Sequence, residues 1–407
     1  MTTSPIPVAP HAVHPPTGPL PFPWIGLIAL SATVFLSISS EMIPTGLLPE
    51  MSASLGVSPS QIGLLVTVFA FTVVLSSAPL TALTVRVPRH TMMVTILAVL
   101  GVSNLLTALA PTYELVLVTR VLGGLAHGLF WAMVPAYAAH LVDRAHIARA
   151  VSITLAGGTL ALVLGVPLGT VLGQAVGWRW AFAAIAIALF IGVLAVIRWL
   201  PPVDRDEAVR TDAASRRDPT TVAVGLLCVT VAIVMIGNYT FYTYIAPYLI
   251  DRLGVAPEYL SAVLFAIGAA GALGLLLAGT VFGNRTSIGL VIGLAATAAG
   301  VGIAAVATDL LWVSLAGIVL WGLAFGLVPP LLQTRLLHTA SARIRDTASA
   351  FYTTAFNLGI GGGALIGALL LDWQGLSSLP VATIVLVLAG LVVVLISVRV
   401  SSRRIAR

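Results

Sequence analysis

Long apolar runs dominate this chain, and their number and length constrain its fold more than any other feature. A helix crosses the hydrocarbon core of a bilayer in about 20 residues, and twelve runs reach that length. They lie near residues 24–48, 60–84, 91–110, 114–138, 147–174, 179–200, 220–249, 257–282, 287–307, 310–336, 345–371 and 378–398. Only 8% of the 407 residues are charged, whereas soluble domains carry about 25%. We therefore predict an all-α integral membrane protein with twelve transmembrane helices, whose main partner is the lipid bilayer.

Polar segments divide the apolar runs into two groups of six. Residues 1–23 contain eight prolines and no lysine or arginine, so they lack the basic start of a signal peptide and are predicted to be a disordered cytoplasmic tail. Residues 201–219 are charged and bracketed by prolines, which is typical of a linker. The predicted domains are therefore an N-terminal bundle at 24–200 and a C-terminal bundle at 220–398, with a second cytoplasmic tail at 399–407.

The placement of basic residues predicts the orientation in the membrane. The chain contains 20 arginines and no lysine, and 17 of the arginines fall on one side of the predicted spans. Arg179 and Arg252 fall on the other side, and Arg120 lies within a span. Because basic residues collect in cytoplasmic segments, both termini are predicted to be cytoplasmic. The formal charge of +6 is then a signal of topology, and no nucleic-acid partner is expected.

The two groups of helices repeat each other at an offset of 198 residues. The matching pairs are Gly56 and Gly254, Gly124 and Gly322, and Gly165 and Gly363. Because each repeat contains an even number of spans, the second copy enters the membrane with the same orientation as the first. We predict two pseudo-symmetric six-helix bundles related by an axis along the membrane normal, the arrangement of the major facilitator fold.

One acidic residue, Glu41, lies well inside a predicted span. A buried carboxylate is costly unless it is paired or protonated, and Arg120 falls at a similar depth in the fourth span. In one interpretation Glu41 alternates between a proton and Arg120, which couples proton movement to transport. In the other, the two residues form a static salt bridge that orders the bundle.

His127 and Trp131 follow Arg120 on the same face of the fourth span, at helical spacing. His127 is predicted to relay protons or to hydrogen-bond a polar solute, and Trp131 to contact that solute. A satisfied core histidine is the structural alternative.

Polar and aromatic residues of the second half are the candidate solute ligands. Asn238 and Tyr242 share a face of the seventh span, and Tyr239 is the repeat partner of Glu41. Such residues offer donors, acceptors and flat apolar faces to a sugar-like or small amphipathic solute, although tyrosines also form interfacial belts. Weaker candidates of the same kind are Gln333, Tyr352 and Asn357.

Small residues recur every four positions in two of the spans. The fifth span places Gly165, Gly169 and Gly173 on one face with Pro167 among them. The eleventh span does the same with Gly359, Gly363 and Gly367. Such faces let helices approach closely, and we expect them to line the interface along which the two halves rock or seal.

Motifs for other energy sources or chemistries do not occur in the sequence. There is no G-x-x-x-x-G-K-[ST] run for a nucleotide, no Cys/His cluster with metal-ligand spacing and no serine hydrolase motif. We expect no enzyme activity, no metal and no cofactor, with the proton gradient as the energy source.

The first-half motifs resemble those of bacterial sugar-efflux transporters, in the drug:proton antiporter-1 branch of the major facilitator superfamily. The first span reads Ser39-Ser-Glu-Met-Ile-Pro-Thr-Gly-Leu-Leu-Pro-Glu50, and the fourth reads Arg120-Val-Leu-Gly-Gly-Leu-Ala-His-Gly-Leu-Phe-Trp131. The fifth contains Leu164-Gly-Val-Pro-Leu-Gly169, which is similar to the antiporter motif. The resemblance implies proton-driven export of arabinose-like sugars or related small metabolites across the bacterial inner membrane.

Three alternative functions remain open at this point. A drug exporter of the same fold would carry chloramphenicol-like substrates, and an uncoupled facilitator would use Glu41 and Arg120 only as scaffolding. A membrane-embedded enzyme is the least favoured, since no nucleophile or metal site is visible. In each transporter interpretation the partners are a small-molecule substrate and protons, and the chain is expected to be a monomer.

Overall fold

Twelve helices long and apolar enough to cross a membrane run through the described part of the chain, residues 22–201 and 218–405 of a computed structural model. They are α1 (Trp24–Gly46), α2 (Pro59–Leu83), α3 (Arg89–Leu109), α4 (Tyr113–His140), α5 (Ile147–Val176), α6 (Trp178–Trp199), α7 (Thr221–Tyr242), α8 (Leu260–Thr280), α9 (Thr286–Val306), α10 (Leu311–Thr339), α11 (Arg345–Gln374) and α12 (Ser378–Ile405). The predicted fold class is confirmed. Most of the predicted linker and parts of both predicted tails lie outside the described residues.

Proline accounts for the main departures from the predicted helix limits. The seventh run was expected to continue to residue 249, but α7 ends at Tyr242 and is followed by a short helix, Ile245–Pro247, and a π-type turn, Tyr248–Arg252. Pro247 has no N–H to continue the helical ladder. The first run likewise divides into α1 and a separate helix, Leu48–Leu55, with Pro49 in its first turn.

The helix ends define two sides of the molecule. We call the side where residues 22, 201 and 218 lie the linker end, and the opposite side the far end. The four glycines with positive φ are all in far-end connections, and each helps to reverse the chain between two spans. They form two pairs 198 residues apart, Gly56 with Gly254 and Gly177 with Gly375. The sequence repeat is therefore also a repeat of backbone conformation.

The helices of the two halves pack in the same pattern. In the first half α1 packs on α5, α2 on α4 and α3 on α6. In the second half α7 packs on α11, α8 on α10 and α9 on α12. Each half is thus a six-helix bundle with the same pattern of helix pairs.

The glycine faces of α5 and α11 lie inside the bundles, which corrects the expectation that they line the interface between them. A side chain at Gly169 or Gly173 would meet Ile43 or Leu47 at the far end of α1. Gly359, Gly363 and Gly367 face α7 in the same way, and Pro167 is buried. The reason is that α1 with α5, and α7 with α11, are partners within one bundle.

The bundles meet instead through α2 with α11 and α5 with α8. Among the described residues three hydrogen bonds cross between the bundles, all in the half of the molecule nearer the far end. The Ser60 hydroxyl donates to Asp372 Oδ1 at 2.5 Å, and the Thr67 hydroxyl donates to the Gly361 carbonyl at 3.1 Å. The Gln174 amide donates to the Pro257 carbonyl at 3.0 Å. The hydrogen bonds between the bundles are therefore concentrated toward the far end, and we call this set of contacts the far-end seal.

Candidate functional site

The Glu41 carboxylate is buried in the first bundle, about a turn and a half from the far end of α1. Only 4% of the residue is exposed. Its Oε2 lies 3.5 Å from His127 Nε2 on α4, and its Oε1 has no hydrogen-bond partner among the described residues. A polar group in this position normally finds partners, so the free oxygen marks Glu41 as a site that can take up a proton.

Arg120 reaches the same place but does not pair directly with the carboxylate. Its guanidinium donates to the backbone carbonyls of Ser40 at 2.9 Å and Glu41 at 3.0 Å. The reason lies in Pro44, which has no N–H and leaves the Ser40 carbonyl without its helical partner. The Phe69 ring covers the guanidinium, with 4.3 Å between the Arg120 Cζ atom and the ring centroid. Arg120 therefore replaces the helical donor that Pro44 lacks, and its charge reaches the Glu41 carboxyl group from beyond contact distance.

His127 connects Glu41 to a hydroxyl group one turn nearer the linker end. Its Nδ1 lies 2.8 Å from Ser37 Oγ, and its Nε2 faces Glu41. Only 2% of His127 is exposed, and the rings of Phe69 and Trp131 lie 5.1 and 6.1 Å from its ring. When Ser37 donates to Nδ1, the ring proton sits on Nε2 and points at the carboxylate. Ser37, His127 and Glu41 thus form a continuous polar line through an apolar bundle.

The second bundle faces this acid with aromatic rings. Tyr239, the repeat partner of Glu41, lies within electrostatic range of its carboxyl group. Its ring makes edge-to-face contacts with Tyr242 at 5.8 Å, Phe325 at 6.2 Å and Phe356 at 6.4 Å. Such packing gives the cluster both ring faces and ring edges for contact with a solute.

The Asn238 side chain is hydrogen-bonded within the second bundle. Its Oδ1 accepts from Trp321 Nε1 at 2.9 Å, and its Nδ2 is buried without a partner among the described residues. One amide N–H pair thus remains available beside the aromatic rings. Trp321 also packs on Tyr242, with 6.1 Å between the ring centroids.

The weaker predicted ligands are not all brought to this site. The Tyr352 hydroxyl donates to the Pro329 carbonyl at 2.8 Å, although its ring packs on Phe356. The Asn357 amide donates to the carbonyl of Thr353 on its own helix. Gln333 is exposed toward the linker end of α10. Of these three, Tyr352 is the one that joins the aromatic cluster.

Sequence reasoning missed several members of the site. Phe325 is the repeat partner of His127 and Phe356 lies beside Asn357, so the repeat offset would have found the first. Ser37 is four residues before Glu41, and Pro44 is four residues after Ser40, so helical spacing around the acid would have found both. Phe69 and Trp321 carry no signal of this kind.

The arrangement brings groups that can exchange a proton and an apolar aromatic surface into one part of the molecule. The carboxyl group of Glu41 and the imidazole of His127 provide exchangeable proton sites, while Tyr239, Phe325 and Phe356 provide an apolar surface. Within the described residues no group of three or more His, Cys, Asp or Glu side chains could hold a metal ion.

The sequence and the fold were compared with known proteins. A family model described as Major Facilitator Superfamily matches residues 30–364 and, in a second match, residues 227–406.

Among solved structures, a D-xylose-proton symporter superimposes with a TM-score of 0.77 at 17% identity, over 91% of this chain and 97% of that chain. A bacterial homologue of the human lysosomal transporter Spinster, in an inward-facing and occupied conformation, gives 0.72 at 17% identity, over 94% and 98%. The human organic anion transporter MFSD10 gives 0.68 at 16% identity, over 91% and 98%. At these identities the likeness establishes the fold.

Proposed function

Because this chain belongs to the major facilitator superfamily, and is thus a multi-pass membrane transporter of small solutes, we propose that it exports arabinose-like sugars or related small metabolites in exchange for protons. Transport follows alternating access, in which the two bundles rock about the site between them. The chain resides in the bacterial inner membrane with both termini in the cytoplasm, acts as a monomer and draws its energy from the proton gradient.

The observation that carries this proposal is the state of the Glu41 carboxyl group. It is buried, one oxygen has no partner among the described residues, and the other lies 3.5 Å from His127. The Arg120 guanidinium donates its hydrogen bonds to backbone carbonyls and not to this carboxyl group. A carboxyl group left in this condition is suited to exchange a proton, because protonation removes a buried charge that no contact fully compensates.

The opposite wall supports a small solute with both apolar faces and hydroxyl groups. Tyr239 lies beside Glu41 and carries three ring neighbours. Sugar rings stack their C–H faces on aromatic rings and hydrogen-bond through their edges, for which the free Asn238 Nδ2 is available. Proton and solute would meet at Glu41 and Tyr239, so that loading one affects the other.

The arginine distribution supports the assignment of the linker end to the cytoplasm. Of the arginines in the described ranges outside α4, Arg179 and Arg252 are the two at the far end. With that assignment the far-end seal lies on the periplasmic side, as an inward-facing state requires.

A second candidate function, export of chloramphenicol-like drugs, is favoured by the number of aromatic rings at the site. Besides Tyr239 and its three neighbours, Trp321 and Tyr352 pack on the same cluster. Such a surface accepts flat apolar molecules as readily as sugars. The two candidates share one proton mechanism and differ in the solute.

The test is transport by purified protein in liposomes that contain a pH-sensitive dye. A panel of labelled sugars and antibiotics is offered under an imposed pH gradient. We expect arabinose-like sugars to move against their own gradient and to dissipate the pH gradient, while antibiotics give the weaker signal. Stronger antibiotic-driven proton movement would favour drug export instead.

The Glu41→Gln variant tests the coupling. It retains the shape of the side chain but cannot exchange a proton, so solute-dependent proton movement should fall to the level of empty liposomes. Glu114→Gln, an exposed acid in the first turn of α4, is the matched control and should behave as wild type. Unchanged proton movement in Glu41→Gln would remove this residue from the mechanism, and solute flux without any proton movement in wild type would identify an uncoupled facilitator.

A further inference from the structure

A cluster of aromatic and basic side chains at the linker end of the first bundle has no place in the transport mechanism. It consists of Phe22 and Trp24, where the described chain enters α1, together with His146 and Arg149, where α5 begins. The Phe22 and Trp24 rings meet edge to face at 4.9 Å, and the His146 ring lies 5.9 Å from that of Phe22. We refer to these four residues as the entry cluster.

The Arg149 guanidinium packs against two aromatic rings at once. Its Cζ atom lies 4.8 Å from the Phe22 ring centroid and 4.9 Å from the Trp24 ring centroid. Cation–π contacts of this kind hold a guanidinium in place without using its N–H groups. The position of the charge is therefore determined by the fold.

The hydrogen-bonding groups of Arg149 are unused. In the ranges 22–201 and 218–405 the structure gives its five N–H donors no acceptor and places no carboxylate within 4 Å of them. Asp143, the nearest acid along the chain, is exposed and makes no ion pair with it. A guanidinium that is held rigidly while its donors stay free matches the geometry of a phosphate group, which it binds through two parallel hydrogen bonds.

The surroundings of the entry cluster are those of a bilayer surface. Trp24 and Trp199 are 46% and 50% exposed at the ends of their helices, as expected of residues at the headgroup level. Ile25 and Ile28 continue from Trp24 along α1 and are exposed to the lipid chains. A second exposed arginine, Arg198, precedes Trp199 on α6.

The first turn of α1 joins these features into one surface. Gly26 lies against the Leu200 side chain and the Trp199 carbonyl, so the end of α6 borders the entry cluster. Phosphate-binding donors, interfacial aromatic rings and an apolar surface for acyl chains thus occur together.

The equivalent place in the second bundle is arranged differently. Adding 198 to Phe22, Trp24, His146 and Arg149 gives Thr220, Val222, Ile344 and Thr347. There Asp218 accepts hydrogen bonds from the Thr220 hydroxyl at 2.6 Å and from the Ser341 hydroxyl at 2.6 Å. The second bundle satisfies its own polar groups at this point, and the first leaves a basic group open.

From this contrast we infer that the entry cluster is a binding site for the phosphate of an anionic phospholipid, with Arg149 as the phosphate ligand. Trp24 and Phe22 orient the guanidinium, Arg198 adds positive charge nearby, and Ile25 and Ile28 receive the acyl chains. The basic side of a membrane protein attracts anionic headgroups, and here the entry cluster concentrates that attraction at one point.

Native mass spectrometry of the purified full-length chain in detergent tests the site. Phosphatidylglycerol or the zwitterionic phosphatidylcholine is titrated in, and apparent affinities follow from the fraction of protein with one bound lipid. We expect tighter binding of phosphatidylglycerol to wild type, and an affinity about fivefold lower in Arg149→Gln, the change expected for loss of one basic group at a membrane surface. Arg285→Gln removes an exposed arginine at the linker end of the second bundle and should bind as wild type does.

Two further measurements can refute the proposal. Trp24→Leu retains every charge but frees the guanidinium, and should also weaken phosphatidylglycerol binding; it decides the question if Arg149→Gln proves unstable. Millimolar inorganic phosphate should not displace the lipid. Equal phosphatidylglycerol binding by wild type and both cluster variants, an equal loss in Arg285→Gln, or displacement by inorganic phosphate would each overturn the assignment.

Discussion

The two bundles share one architecture and differ in what they place at its centre. The same helices pack in the same pairs, and even the positive-φ glycines match at an offset of 198 residues. Yet the ionisable residues of the first bundle have uncharged, mostly apolar partners in the second. The matching positions are Glu41 and Tyr239, Arg120 and Ile318, and His127 and Phe325.

The backbone explains part of this difference. Pro44 in α1 frees the Ser40 carbonyl, and Arg120 donates to it. In the second bundle the position of Pro44 is occupied by Tyr242, whose N–H completes the ladder, and the position of Arg120 by Ile318. The arginine is present where a carbonyl needs it and absent where none does.

The comparison teaches that the symmetry of this molecule concerns packing, while its chemistry is asymmetric. One bundle holds the exchangeable protons, and the other holds the rings that face them. A transporter built this way places its two ligands on opposite sides of the interface that moves, so each movement of the bundles changes the surroundings of both.

The largest expected effect comes from giving position 120 of the first bundle an uncharged aliphatic side chain, as the second bundle has at Ile318. Arg120→Leu leaves two backbone carbonyls of α1 without their charged donor and removes the positive charge near Glu41. We expect the free energy of unfolding to fall by about 3 kcal/mol, measured by thermal unfolding in detergent.

A second substitution shows whether Pro44 is the cause. In Arg120→Leu with Pro44→Ala, residue 44 regains its N–H and the Ser40 carbonyl its helical partner, so about 1 kcal/mol should return. No recovery in the double variant would show that Arg120 does not compensate for the N–H that Pro44 lacks.

The next largest effect is expected on transport when the imidazole is replaced by its repeat partner. His127→Phe keeps a ring among Phe69 and Trp131 but removes both nitrogens. Solute-driven proton movement should drop about 100-fold, while the protein still folds. His338→Phe, an exposed histidine near the linker end of α10, serves as the control. Wild-type coupling in His127→Phe would mean that Glu41 works alone.

Ser37 should have a smaller effect of the same kind. Ser37→Ala removes the hydroxyl that faces His127 Nδ1 at 2.8 Å, so the ring is no longer held with Nε2 toward Glu41. Coupled transport should slow about tenfold, with the solute concentration for half-maximal rate unchanged. Ser39→Ala, a buried hydroxyl without a partner among the described residues, should leave the rate as it is. A loss of solute affinity in Ser37→Ala would contradict a positioning role.

In the second bundle the matching test concerns Asn238. Trp321→Phe removes the N–H that donates to Asn238 Oδ1 and leaves a buried acceptor empty. The expected cost is about 1 kcal/mol in thermal unfolding. Trp312→Phe changes a tryptophan that is 81% exposed near the far end of α10 and should cost less. If the two variants unfold alike, the Asn238 contact contributes no stability.

The smallest effect is expected at the start of the second bundle and depends on pH. Hydrogen bonds from Ser341 and Thr220 lower the pKa of Asp218 below its usual value. A carboxylate with a lowered folded pKa adds stability above its unfolded pKa of about 4 and loses it as the pH falls further. The difference in melting temperature between wild type and Asp218→Asn should therefore be largest at neutral pH and should disappear in acid. A difference in melting temperature that persists in acid would show that the effect comes from the shape of the side chain at position 218 and not from its charge.

The architecture could be predicted from sequence because each helix that crosses a bilayer needs a long apolar run, and such runs can be counted. Run lengths, arginine placement and the 198-residue offset give twelve helices and two bundles with limits mostly within a few residues. The limits were less accurate where proline interrupts a run, as at Pro247, since a hydropathy pattern does not register a missing N–H.

The sequence predicted which residues belong to the site better than it predicted the contacts they make. Depth along the helices predicted that Glu41 and Arg120 lie near each other, and helical spacing placed His127 on the same face as Arg120; the structure brings all three together. Depth could not show that Arg120 would turn to the backbone, because that depends on the effect of Pro44 on one carbonyl. The glycine faces were misplaced for a related reason, since spacing shows that a helix can be approached closely but not by which neighbour.

The two ends of the connection between the bundles, at residues 201 and 218, each form a hydrogen bond to the bundle that they adjoin. The Tyr137 hydroxyl donates to the Pro201 carbonyl, and Asp218 is held by Ser341. A polypeptide cut between these anchors keeps every described hydrogen bond within each part, and the far-end seal still joins them. The protein is thus suited to reconstitution from two separately encoded fragments, in which a label or mutation is confined to one.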